Sequence, residues 1–153
     1  MKVEQKIMEL GLRLPQTIQP QGTYTPGVRV GDCIYTSGQT CRVDGKLQYV
    51  GKVGAEVSEE DAYQAARICA MNCLAIVRQV AGDLDHVEQI VRMTGFVASD
   101  PQFTQQTKVI DAASKLLKEI FGERGLAARS AIGVCALPGD APCEIELIVK
   151  VKD

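Results

Sequence analysis

The sequence predicts an α+β fold, a two-layer sandwich with two long helices on one face of a mixed β-sheet. Three observations predict it. Two segments, ending near Val80 and Phe121, carry apolar residues at helical spacing, and each stops at a glycine, Gly82 or Gly122. The tail from Cys143 to Lys152 alternates: Cys143, Ile145, Leu147, Val149 and Val151 face one way, and Glu144, Glu146, Ile148, Lys150 and Lys152 the other. Short β-type runs precede the first long helix, so the order is strands, helix, strand, helix, strand. A chain of 153 residues without linker or repeat fits one domain, 1–153.

Taken in order, Met1 to about Gly11 reads as a short helix, with Ile7, Met8 and Leu10 as its apolar contacts. Pro15, Pro20, Gly22 and Pro26 keep the next stretch irregular or extended. Val28 to Gln39 reads as two β runs around Gly31-Asp32, and Gly38 marks a bulge or a close backbone approach. Val43-Asp44-Gly45-Lys46 is a second hairpin-type turn. Ser58 and Asp61 have capping-box spacing and open the first long helix, whose stripe is Ala62, Ala66, Cys69, Cys73, Ile76, Val77 and Val80. Small residues there let the helix lie close to a sheet. Val87 to Ala98 is rich in β-branched residues and reads as a long strand. Asp100-Pro101 offers an N-cap and a first-turn proline for the second helix, with Val109, Ala112, Ala113, Leu116, Leu117, Ile120 and Phe121 inward. The sheet face away from the helices mixes polar and apolar groups, so it must meet solvent or another subunit.

Composition narrows the function. Formal net charge is −2 and the basic residues are scattered, which weighs against nucleic acid as the main partner. No segment has the apolar length of a membrane span, and the charged N-terminus lacks the form of a signal peptide, so a cytoplasmic location is expected. Six cysteines and one histidine, His86, include no CxxC pair. The cysteines sit among small or apolar neighbours and read as reduced, mostly buried thiols, with no metal site. His86 reads as exposed, and Asn72 as a structural amide.

Arg129 stands out. It follows Ala127 and Ala128, with no acidic neighbour in sequence, and its planar fork of donors suits a carboxylate or phosphate. It is either paired with a distant carboxylate or open to a ligand. Glu144, on the alternating tail, is either an active group or a solvated strand residue.

The pieces Gly22-Thr23-Tyr24, Gly31 to Gln39, the alanine-rich helix with Asn72, Phe96 to Asp100 with Phe103, and Ala128-Arg129-Ser130 through Leu137-Pro138 to Glu144-Ile145-Glu146 resemble, in order and spacing, the RidA/YjgF/UK114 family. The resemblance spans about Leu14 to Val151 and is nearest to a subgroup with an extra N-terminal helix, often labelled endoribonuclease. It implies a chorismate-mutase-like fold and a homotrimer with clefts between subunits. It also implies hydrolysis of reactive 2-imino acids and enamines to ammonia and a 2-oxo acid. Arg129 would clamp the substrate carboxylate and Glu144 would hold or activate the water. Tyr24 and the backbone at Gly38 would complete the cleft. No cofactor is implied, because an iminium carbon is already electrophilic. The chain departs from the deaminase pattern at Thr23, Pro26, Ala127 and Ala131. Two other functions remain open: a non-catalytic trimer that binds small carboxylates, and the endoribonuclease of the inherited label. One histidine and the acidic balance argue against the latter.

Overall fold

The computed structural model describes residues 2–17 and 19–153. Helix α1 (Lys2–Glu9) is followed by β1 (Gly27–Val30), β2 (Cys33–Thr36), β3 (Gln39–Thr40), β4 (Arg42–Val43) and β5 (Lys46–Leu47). Then come α2 (Glu59–Ala81), β6 (Val87–Ala98), α3 (Gln106–Phe121), β7 (Ala128–Val134) and β8 (Cys143–Val151). Met1, where the expected first helix begins, lies outside the described residues.

The main sheet runs β1-β2-β8-β6-β7, with β3 also on β8. Among the described strands of this sheet, β6 and β7 pair in parallel and the others antiparallel, so the sheet is mixed as expected. Strand β8 sits between β2 and β6, and its alternation decides the two faces. Cys143, Ile145, Leu147, Val149 and Val151 are buried against the helices, whereas Glu146 and Lys150 are exposed. The outer face carries Val28, Tyr35 and Ile132, all exposed.

Helix α2 begins as its capping residues dictate, with the Asp61 amide donating to Ser58 Oγ at 3.2 Å. Ala62, Ala65, Ala66, Cys69, Ala70 and Cys73 are all buried, and these small side chains bring the helix close to β8. The Cys69 and Cys73 thiols reach the carbonyls of Cys143 and Ile145 at 3.4 and 3.2 Å. Burial pushes the Cys73 thiol up to about 12, which leaves it protonated and inert as a nucleophile at neutral pH.

Two expectations, the start of the second long helix and the exposure of His86, need correction. Helix α3 starts at Gln106, not at Asp100-Pro101. Asp100 instead closes a turn, accepting from the Gln102 amide at 3.0 Å through its side chain and from the Phe103 amide at 2.9 Å through its carbonyl. The reading of the cysteines as mostly buried thiols holds: four are buried, Cys33 is half-buried, and Cys135, in the loop after β7, is exposed. His86 is half-buried, its Nδ1 3.0 Å from the Ala81 carbonyl. Among the described residues every cysteine is a free thiol.

Candidate active site

The site begins with a misfit between β2 and β8. From Tyr35 to Gln39 the chain advances four residues while β8 passes only from Ile148 to Ile145, so one residue is extra. The surplus bulges out around Ser37 and Gly38. The Leu147 amide, deprived of a ladder partner, donates to Thr36 Oγ1 at 3.0 Å. Gly38 thereby meets the Glu144 carboxylate so closely that a Cβ there would collide with Oε1. Glycine at 38 is therefore a steric requirement of where Glu144 lies.

Glu144 and Gly38 open into a cleft of about 700 Å³, which Tyr24, Thr40, Arg42 and Arg67 also line. Asn72 fixes one wall: its side-chain amide donates to the carbonyls of Thr40 and Arg42, both at 2.9 Å. That is the structural hydrogen bonding the sequence suggested. Tyr24 is 56% exposed, so its ring faces the opening rather than the core. Burial, and then the nearby Glu146 charge, raise the Glu144 pKa above the ordinary glutamate value. Its carboxylate is thus a stronger base than one in water.

Arg129 is elsewhere. It pairs in register with Met93, which pairs with Leu147; both are buried on the helix-facing side. Glu144 lies an odd number of residues from Leu147 and points to the opposite face. The guanidinium instead meets α3: Nη1 donates to Asp111 Oδ1 at 3.0 Å and to Ser114 Oγ at 2.7 Å, and Nη2 donates to the Thr107 carbonyl at 3.3 Å. The first alternative, a distant carboxylate partner, is therefore realised within the subunit, and Arg129 does not line the Glu144 cleft. Sequence reading missed Asp111 and Ser114. A signal was present, since Thr107, Asp111 and Ser114 recur at spacings of four and three and share one helix face.

Register gives the separation. Arg129 is two strands across and three residues along from Glu144. That is roughly 10 Å in each direction, or about 14 Å between Cα atoms, with the side chains on opposite faces. A 2-imino acid places its carboxylate and its electrophilic carbon on adjacent atoms. Within one subunit these two residues cannot hold the same small molecule. The cations lining the Glu144 cleft are Arg13, Arg42 and Arg67, none of which has a carboxylate partner among the described residues.

Comparison with known proteins covers almost the whole chain. The sequence profile of a family described as "YjgF/chorismate_mutase-like, putative endoribonuclease" matches residues 4–151. Protein TCP17 of Trypanosoma cruzi is 34% identical over 153 residues, covering 99% of this chain and 96% of its own. The crystal structure of Atu1372 from Agrobacterium tumefaciens, described as of unknown function, superimposes with TM-score 0.92 at 38% identity, covering 99% of this chain and 93% of its own. TdcF of Escherichia coli, named a "putative reactive intermediate deaminase", is 32% identical over 129 residues, 83% of this chain and 85% of its own. Its crystal structure with bound serine superimposes with TM-score 0.62 at 28% identity, covering 92% of this chain and 94% of that one.

Proposed function

The chain belongs to the YjgF/chorismate-mutase-like family, and on that premise we propose that it hydrolyses small, reactive 2-imino or enamine carboxylates to ammonia and a 2-oxo acid, in clefts between the subunits of a homotrimer. The observation that carries this reading is Glu144, half-buried in an open cleft against a bare glycine, with a raised pKa. Such a carboxylate can take a proton from water at neutral pH. Water oxygen bonds to the iminium carbon as Glu144 removes a proton. The proton then passes to the amine nitrogen of the carbinolamine. The C–N bond breaks and ammonia leaves, while the carbinol hydroxyl gives its remaining proton to Glu144 as the carbonyl forms. Nothing in this sequence requires a cofactor.

Arg129 is the proposed carboxylate clamp, contributed to each cleft by the neighbouring subunit. The separation and opposed faces of Arg129 and Glu144 support that division. So does the outer sheet face: Val28, Tyr35 and Ile132 are exposed apolar groups that a partner subunit would cover. Tyr24 and the backbone at Gly38 are proposed to shape the Glu144 side. A trimer that binds small carboxylates without turnover is the second reading, favoured by Ala131 and Pro26, where the chain departs from the deaminase pattern.

A panel of imines made in situ from amino acids by an oxidase tests the activity. Ammonia release should accelerate severalfold for at least one carboxylated imine; no acceleration across the panel, with pyruvate still bound, would favour the binding protein. The acid limb of the pH–rate profile should lie above the ordinary glutamate range, because the ionised form is the base and its pKa is raised. Glu146→Gln removes one of the two causes and should move that limb to lower pH. A limb that does not move would show that another group controls it.

A further inference from the structure

The guanidinium of Arg129 has five N–H donors, and the subunit uses only three of them. Both Nη1 protons go to Asp111 and Ser114, and one Nη2 proton goes to the Thr107 carbonyl. Nε–H and one Nη2–H remain without partners among the described residues. Nε and Nη2 flank the same edge of the guanidinium, and two parallel donors on one edge match a single carboxylate. The ion pair with Asp111 therefore leaves Nε–H and one Nη2–H as donors for a ligand carboxylate. The side chain is 21% exposed.

The same contacts set the charge. Asp111 Oδ1 lies 3.0 Å from Arg129 Nη1, and its other oxygen lies 3.5 Å from Lys115 Nζ. One carboxylate thus sits beside the clamp, and a second negative group on a ligand held by Arg129 would meet its charge. Repulsion over such a distance, in a partly screened site, is worth about a tenfold change in affinity per ligand charge.

Resting on the reading of Arg129 as a carboxylate clamp, we infer that Asp111 is a specificity-determining positioning residue: it holds the guanidinium so that one edge faces the ligand and makes the site select monocarboxylates over dianions. Ser114 shares the holding and not the charge.

Calorimetry with pyruvate and with malonate on the assembled protein tests this. Asp111→Asn keeps an oxygen for Nη1 and removes the charge, so the ratio of malonate to pyruvate dissociation constants should fall about tenfold. Asp111→Glu restores the charge and should restore most of the ratio. Ser114→Ala should weaken both ligands severalfold and leave the ratio in place. An unchanged ratio in Asp111→Asn, with pyruvate binding still lost in Arg129→Ala, overturns the role of Asp111 and leaves the clamp standing. Pyruvate binding that survives Arg129→Ala undamaged overturns the clamp itself, and the role of Asp111 with it.

Discussion

Glu144→Gln is expected to lower imine turnover by about 10²- to 10⁴-fold, the usual contribution of a positioned general base. The amide is nearly isosteric, so it should keep the contact with Gly38 and the shape of the cleft. It cannot take a proton. Pyruvate affinity should change by no more than a few-fold if, as proposed, Arg129 holds the carboxylate. Steady-state kinetics beside direct binding separates the two. Equal losses of turnover and binding would assign Glu144 a structural role.

Arg129→Ala carries the second large effect. A charge-assisted bidentate contact contributes roughly 1.5–3 kcal/mol, so pyruvate affinity should fall about ten- to a hundredfold. The fold should tolerate the change. The bereft Asp111 side chain is 42% exposed and can be hydrated, so its ion pair contributes little to stability. Arg129→Lys should recover only part of the loss, since lysine keeps the charge and loses the planar fork. Calorimetry and a melting curve check both points. A melting temperature that collapses, with unaltered affinity in the folded remainder, would make Arg129 purely structural.

Much of this architecture is legible in local chemistry. Ser58 and Asp61 announce the start of α2, and the small residues from Ala62 to Cys73 announce a helix pressed on a sheet. The alternation of β8 by itself separates core from outer face. Gly38 signals a bulge because a side chain there has no room, although the occupant, Glu144, stands more than a hundred residues away. The start of α3 is misread because Asp100 serves equally well as a helix cap and as a turn former, and only packing chooses between them. Strand β7 hides for a related reason. Residues 128–134 are short and small, and they become a strand by pairing in parallel with β6. The partner of Arg129 hides for the same reason, since Asp111 reaches it only once α3 is laid over the edge of the sheet.

The site itself is legible as a set of residue types and illegible as a geometry. Tyr24, Gly38 and Glu144 do come together in one cleft. Arg129, the residue most conspicuous in the sequence, does not join them within the subunit. Face and register, which depend on long-range pairing, decide that.

Mixed assembly tests the central claim most directly. At subsaturating imine, chains carrying Arg129→Ala and chains carrying Glu144→Gln are each expected to form assemblies with about a tenth of the wild-type turnover or less. Co-expressed in equal amounts and assembled at random, they place an intact Arg129 against an intact Glu144 in about one quarter of the clefts of a cyclic trimer. About one quarter of the wild-type turnover should return. Mixed assemblies no more active than their parents would contradict the account, because they would mean that no site is shared between neighbouring subunits.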